Sequence, residues 1–458
     1  MLLKFPYNIL SLILLIAFAI RIYNLNFNSP FVDEAAYIVI GQKILAGQIE
    51  NVIGDISWVG AFPFFYPLIS GIVFNLGGII ATRFFNVMLG TLCVILIYTF
   101  TKQLRFFKKE KSNEIAGLIA ASFMATAAIP IDASRVAIYD GLSFTLFLGG
   151  LNLYIRALNS KSEVHYFLTA IVLFLSFLAK YITMIFFPFI FLSSKLKVKI
   201  IASLWFPLLL LMYLYFYNTR TYLMTYFSSQ IGDEATTYIE VIQTFAKYLW
   251  PTYVLSFLGG LFLWKTKKKL ILSLIFMSLV PIAVHVLSKN NNSAHQHSFL
   301  SIIFILPIVG AFFTLYINKY KKVGALVAII LLIFNFMYSW PQVKDLESFW
   351  PNSYRAVNLI GEKTKASDII LAEGSDTVAL SLKKKIPYEN IVGPFAFTYK
   401  GQDEAVAYTQ AIKDGYFRFV ELENVYFSTG IIEDIEKALL GKYIKIFDDG
   451  KIRIYERK

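Results

Sequence analysis

Long apolar runs recur along the chain, separated by short charged breaks. Runs of roughly 17–22 apolar residues match the ~30 Å hydrocarbon core of a bilayer and predict spanning helices. The pattern puts spans near 6–23, 83–101, 114–131, 141–157, 165–179, 181–194, 199–217, 250–264, 269–287, 298–317 and 322–340. The breaks alternate in character. Those at 102–111, 156–165, 195–199, 265–269 and 318–322 are short and basic, which predicts a cytoplasmic position. Eleven spans with a cytoplasmic N-terminus then carry 24–82, 132–140, the Lys180 turn, 218–249, 288–297 and the tail to the opposite, extracytoplasmic side. Phe62 to Gly78 is also apolar, but a crossing there would invert every later loop. It contains Pro63 and Pro67 and ends in Gly77-Gly78, and reads as a re-entrant or interfacial helix within the first external loop.

After Trp350-Pro351 the pattern becomes that of a soluble domain. Ile369 to Ala372 reads as a buried strand, and Tyr416 to Leu422 as a strand with period-two alternation. Ile431 to Leu440 reads as a helix. Tyr443 to Phe447 and Ile452 to Tyr455 flank Asp448-Asp449-Gly450-Lys451, a hairpin signal. The expected organisation is a transmembrane module over 1–345 and an extracytoplasmic α/β domain over 346–458.

Composition agrees with the pattern. The chain of 458 residues is 57% hydrophobic and 16% charged, against about 25% charged in soluble domains. Its mean hydropathy is +0.60. Continuous apolar runs of this length are not the alternating strands of an outer-membrane barrel. The first run lacks a small-x-small cleavage site, is followed by Arg21, and reads as a retained span. The net charge of +13 sits in the membrane part, because residues 351–458 hold 16 basic and 16 acidic residues. Those basic residues are spread over short loops, so the excess is a topology signal and does not point to nucleic acid. The single cysteine, Cys93, lies in an apolar run, and no intrachain disulfide is possible.

Several ionisable groups fall on one membrane face, although they come from separate stretches of sequence. They are Asp33 and Glu34 in the first external loop, Arg83 opening the second span, Asp132, Arg135 and Asp140 in the next loop, Lys180 at a tight turn, and His295, Gln296 and His297 further on. Ionisable groups at a membrane are costly to keep and are functional candidates. Each has a bland reading as well. Glu34 and Asp140 could cap helices, Asp132 after Pro130 could be a turn residue, Lys180 could snorkel, and the arginines could pair with acids across loops. His295 and His297 with His285 are compatible with zinc, but no cysteine or clear third ligand accompanies them. No metal or other cofactor is required.

Taken in order, these stretches resemble the membrane glycosyltransferases of the GT-C superfamily. They are most similar to the branch containing protein O-mannosyltransferases and the lipid A aminoarabinose transferase (a family 39-like pattern). The matching pieces are Asp33-Glu34-x-x-Tyr37 with Gly47 downstream, Arg83, Arg135-x-x-x-x-Asp140 before Tyr154-x-Arg156, and Leu178-Ala179-Lys180-Tyr181 with Pro188. His295 to Ser298 with Leu300 and Pro307 extends the match, which covers about residues 20–310. The resemblance implies a polytopic helical GT-C fold and a polyprenyl-phosphate-linked sugar as donor. It makes Asp33 the essential acid of the first external loop, Asp140 the acid of the second, and Lys180 a contact of the carrier phosphate. The chain departs from the superfamily in three ways. It lacks the Trp-Trp-Asp motif of oligosaccharyltransferases, the β-trefoil insert of eukaryotic mannosyltransferases, and the Arg or Lys often found where His295-Gln296-His297 stands.

Such a reaction needs cations to stabilise the departing phosphate and a carboxylate to take the proton of the acceptor hydroxyl. Lys180, Arg83 and Arg135 are the expected phosphate ligands. Asp33, Glu34 and Asp140 are the expected catalytic acids, with Asp33 as base and inversion at the anomeric carbon. Tyr37, His295 and His297 are expected to bind substrate. The acceptor is a lipid, glycan or protein. Two rival classes stay open: a transporter or flippase for lipid-linked sugar, and a non-catalytic subunit of the same fold. Transporters usually carry internal repeats and broken mid-membrane helices, whereas the charges here gather at one face.

Overall fold

A computed structural model describes residues 5–48, 59–62, 64–160, 162–193, 211, 236–394 and 397–458. The expected span at 199–217 and most of the 218–249 loop lie outside these residues. Contacts divide the chain into two compact units, Met1–Leu25 with Gly47–Leu346 and Asn26–Ala46 with Glu347–Lys458.

The described helices run in order as α1 (Phe5–Ile22), α2 (Val32–Leu45), α3 (Tyr66–Gln103), α4 (Glu110–Thr126), α5 (Ala128–Arg135), α6 (Tyr139–Ser160) and α7 (Glu163–Ala179). A 3-10 turn (Tyr181–Phe186) leads to α8 (Phe187–Ser193), followed by α9 (Tyr238–Leu287), α10 (Ala294–Tyr320) and α11 (Lys322–Glu347). All but α2 belong to the first unit. Among the described residues, α3, α6, α9, α10 and α11 are long and apolar enough to cross a membrane, and the bent pair α4–α5 could form a sixth span. The protein is an integral membrane protein built on these helices. α9 covers the expected spans at 250–264 and 269–287 as one element broken at Lys267 (φ −136°, ψ 27°).

α9 also takes in 238–249, expected as loop, and the expected span at 181–194 is a 3-10 turn and a short helix. Two further differences from the sequence reading bear on the site. From Tyr66 onward the apolar segment and the next span form one helix, α3, broken at Gly77 and Gly78. Gly78 has φ +67°, ψ −157°, a conformation closed to residues with a Cβ. Pro67 does not interrupt α3. It sits in its first turn, where the missing N–H has no intrahelical partner to lose. The second difference lies at 127–135, expected as span end and loop. α4 stops at Thr126, Ala127 is extended (ψ 142°), and α5 restarts at a 61° bend with Pro130 in its first turn. Asp132 and Arg135 are therefore helical and buried. Gly90 of α3 is needed beside this bend, because a Cβ there would run into the Ser134 side chain.

The bend is held by an exchange of arginines. Arg21, at the end of α1, donates to the carbonyls of Met124 and Ala125 at the end of α4, at 3.2 and 3.0 Å, and to Ser134 Oγ at 3.1 Å. Arg135 donates in return to the carbonyls of Ile20, Arg21 and Tyr23 at 3.1, 2.9 and 2.6 Å. A helix C-terminus leaves its last four carbonyls without partners and carries partial negative charge, so a buried guanidinium meets both needs.

In the second unit a five-stranded sheet has the order β2-β1-β5-β7-β6. Its strands are β1 (Ile370–Ala372), β2 (Ile391–Val392), β5 (Phe419–Leu422), β6 (Tyr443–Asp448) and β7 (Arg453–Arg457), and β3 (Thr398–Tyr399) and β4 (Gln402–Asp403) form a separate ribbon. β1 runs parallel to β2 and β5, while β7 is antiparallel to β5 and β6. Helices α12 (Tyr354–Lys363) and α13 (Ser375–Leu382) pack over Ile370, Ala372, Phe419 and Ile454. Helices α14 (Glu404–Asp414) and α15 (Thr429–Leu439) pack over Leu371, Val420 and Leu422. Both faces are covered, so all four β5 residues are buried and the expected alternation fails. The expected hairpin is present, and its turn is tied by Asp449 Oδ1, which accepts from the N–H groups of Lys451 and Ile452.

Candidate functional site

Lys180 lies where α7 stops. Its backbone is extended (φ −161°, ψ 122°) and leads into the 3-10 turn. Segment 60–62 holds it from both sides, Phe62 N donating to Leu178 O at 2.7 Å and Tyr181 N to Gly60 O at 2.9 Å. Asp140 opens α6. Between these two helices Ser143 Oγ donates to Ser176 O and Ser176 Oγ to Ser143 O, at 3.0 and 3.1 Å. Each serine lies about one turn from its charged neighbour, so the reciprocal pair fixes the two helix ends together. The loop before Asp140 is held by Asn86 of α3, whose amide donates to Val136 O and Ile138 O at 2.6 and 2.8 Å.

These ties bring Lys180 Nζ to 2.6 Å from Asp140 Oδ1 and 3.3 Å from Gln296 Oε1 in the first turn of α10. Nζ also stands 4.8 Å from the Tyr139 ring centre and 5.8 Å from that of Phe144. Lys180 is 3% exposed and Asp140 is fully buried, so the ion pair acts in low dielectric. Asp140 Oδ2 is buried without a hydrogen-bond partner among the described residues.

α10 adds the histidines. His297 is buried, with Nδ1 at 2.6 Å from His285 Nε2, and His285 Nδ1 lies 2.6 Å from the carbonyl of Asn290. His295 faces the Tyr248 ring at 6.3 Å. The Lys180 charge acts on all three imidazoles. His285 and His297 bond to each other, and among the described residues no group of three or more His, Cys, Asp or Glu is arranged around a metal position.

The other expected residues are distributed as follows. Arg83 is buried and donates to Leu25 O at 2.8 Å, and Arg135 caps α1 as described above. Asp33, Glu34 and Tyr37 lie on α2, which belongs to the second unit. Asp33 is half-buried in the first helical turn. Glu34 is fully buried and caps its own helix, its Oε2 accepting from Phe31 N at 2.8 Å. Tyr37 is buried. The α2 segment is tied to the C-terminal part of its unit. Asn28 donates to Glu347 O and Trp350 O, Trp350 Nε1 donates to Ser29 O, and Thr377 Oγ1 donates to Pro30 O. Asp33 faces an acidic neighbourhood there. Burial, then the carboxylates of Asp33, Glu423, Asp376 and Glu373, push the Tyr426 phenol upward.

That neighbourhood has its own buried chemistry. Glu373 accepts five backbone N–H groups, those of residues 423 to 427, at 2.5–2.9 Å. Burial, then the charge of Glu423, push the Glu421 carboxyl well up, and burial lifts Glu423 to about 7.

Sequence reasoning singled out Lys180, Asp140 and the His-Gln-His stretch but missed Ser143, Ser176, Asn86 and Asn290. The available signal was faint: a small polar residue one turn from a charged one, on each of two neighbouring apolar helices.

The whole chain can be superposed on solved structures. Over 97% of this chain and 97% of the other, ArnT from Cupriavidus metallidurans in the apo state matches with TM-score 0.63 at 10% identity. The same protein bound to undecaprenyl phosphate matches with TM-score 0.59. The chain has the GT-C fold. The archaeal oligosaccharyltransferase AglB from Archaeoglobus fulgidus, in complex with an inhibitory peptide and a dolichol-phosphate, matches with TM-score 0.60 at 11% identity, over 99% of this chain and 74% of that one. No protein-family model and no curated protein sequence matches the chain. The GT-C fold gathers Lys180, Asp140 and Gln296 from the ends of α7, α6 and α10.

Proposed function

We propose that this protein is an inverting membrane glycosyltransferase that takes a sugar from a polyprenyl-phosphate donor and passes it to an acceptor hydroxyl. The observation that carries the reading is the buried Lys180–Asp140–Gln296 cluster. Support comes from the fold, which is shared with proteins solved with undecaprenyl phosphate and with dolichol-phosphate.

In this reading the sugar C1–O bond to the phosphate breaks and its electron pair leaves with the carrier phosphate. The acceptor oxygen forms the new bond to C1 from the opposite side, which inverts the centre. The acceptor proton passes to the Asp33 carboxylate. Lys180 stabilises the growing phosphate charge, and a cation already oriented by Asp140 does so without reorganisation. Arg83 and Arg135, bonded to carbonyls at or just beyond the end of α1, serve as supports of this membrane end. His295 and Tyr37 are candidate sugar contacts. The reaction face and the C-terminal domain are extracytoplasmic by the basic-loop pattern.

The test uses purified full-length protein in vesicles with radiolabelled polyprenyl-phosphate sugars. Asp33→Asn is expected to lower transfer by about 100-fold or more while donor binding is kept. Lys180→Met is expected to weaken binding of the carrier phosphate about tenfold. Equal turnover in wild type and Asp33→Asn removes Asp33 as base. Absence of both turnover and carrier binding in the wild type overturns the reading.

A further inference from the structure

His297 is fixed in one tautomer by a chain that ends on a carbonyl. The Asn290 carbonyl can only accept, so His285 Nδ1, 2.6 Å away, carries the proton. Neutral His285 then has a lone pair on Nε2. That nitrogen lies 2.6 Å from His297 Nδ1, which must be the donor. Neutral His297 therefore carries its acceptor lone pair on Nε2. This atom is buried and has no hydrogen-bond partner among the described residues. His297 itself is 93% buried, follows directly on Gln296, which contacts Lys180, and feels the Lys180 charge. A second buried acceptor without a partner among the described residues, Oδ2 of Asp140, belongs to the carboxylate paired with Lys180.

We infer that His297 Nε2 is a fixed acceptor for an O–H group of the ligand bound at Lys180, and that His285 and the Asn290 carbonyl hold it ready. The inference rests on the carrier-binding reading above and adds a specificity-determining residue to it. The relay selects by omission: a ligand without the hydroxyl leaves a buried acceptor unpaired, which weakens its binding. Two sources can supply the O–H, a hydroxyl of the carried sugar or the P–OH of the carrier's own monophosphate.

Two substitutions separate the acceptor from the scaffold. Asparagine puts an N–H near Nδ1, keeping the bond to His285 and losing the Nε2 acceptor. Glutamine puts a carbonyl near Nε2, keeping the acceptor and losing the bond to His285. Binding of polyprenyl phosphate and of a polyprenyl-phosphate sugar is measured on the full-length protein in lipid nanodiscs. His297→Asn is expected to weaken the hydroxyl-bearing ligand about tenfold, with His297→Gln within about threefold of wild type. A loss confined to the sugar-bearing ligand assigns the hydroxyl to the sugar. A loss confined to polyprenyl phosphate assigns it to the phosphate, because the phosphodiester of the sugar-bearing ligand has no P–OH.

If the wild type binds both ligands and His297→Asn binds them equally well, the inference falls and the carrier-binding reading stands. If the wild type binds neither, both fall. With four histidines in the chain, 15N-histidine spectra give an independent check. The signal lost in His297→Asn must be that of an Nδ1–H tautomer, and an Nε2–H tautomer overturns the inference even where a variant folds poorly.

Discussion

Asp140 and Glu421 are both fully buried carboxylates, and each has an ionisable neighbour. Asp140, in the membrane unit, faces the Lys180 ammonium at 2.6 Å. Glu421, in the C-terminal unit, faces the carboxyl of Glu423. The first has an opposite charge within hydrogen-bond reach. The second is pushed toward its neutral form by burial and by the charge of Glu423. The membrane unit treats its other buried charges in the same complementary way, with Arg21 and Arg135 bonded to helix-end carbonyls. The membrane unit therefore meets its buried charges with complementary partners, while the α/β unit holds a carboxyl pair set to titrate.

The contrast predicts opposite signs for two neutralising substitutions. Asp140→Asn leaves Lys180 buried without its counter-charge and is expected to destabilise the protein by about 3–5 kcal/mol, read as a lower unfolding temperature in detergent. A variant as stable as wild type would mean that the ion pair does not hold α6 and α7 together.

Glu423→Gln works the other way. The folded-state value of Glu423, about 7, lies above its ordinary 4.5. The stability this pair contributes is therefore full below about pH 4.5 and is lost as pH rises through about 7. The wild-type domain should lose about 3 kcal/mol across that window, and Glu423→Gln should lose much less. Hydrogen exchange of the β5 amides in the full-length protein, compared at both ends of the window, reads this directly. Equal pH slopes in the two proteins would place the titration elsewhere.

Ser143→Ala is the mildest of the three. It removes one of two reciprocal bonds and is expected to cost about 1 kcal/mol. Its sharper readout is functional. If the serine pair positions Lys180, carrier binding should weaken in the variant more than the stability loss alone would cause.

Much of the candidate site could be read from the sequence because charge is rare in apolar helices. Asp140 and Lys180 stand out for that reason, and they pair. The arginines stand out equally, yet Arg135 is bonded to helix-end carbonyls, because a charge pattern does not reveal which helix end lies opposite. Glu34 caps its own helix through a local bond to Phe31, a use its position in the first turn already allowed. Glu373, which gathers five N–H groups, gave no signal, because the loop it organises lies fifty residues further along the chain. The alternation expected in Tyr416 to Leu422 assumed one exposed face, and helices cover both.

The sequence by itself determined a helical membrane protein with a soluble α/β tail, because bilayer thickness fixes the length of an apolar run and strand signals are local. It could not rank the helices. α10 and α11 are 27 and 26 residues long and similarly apolar, yet the apolar window of α10 is 83% buried and that of α11 is 22% buried. Lipid and protein interior are both hydrocarbon-like, so composition does not distinguish a helix facing one from a helix facing the other. Only tertiary packing put α10 at the centre, and with it brought Gln296 and His297 to the end where Lys180 and Asp140 meet.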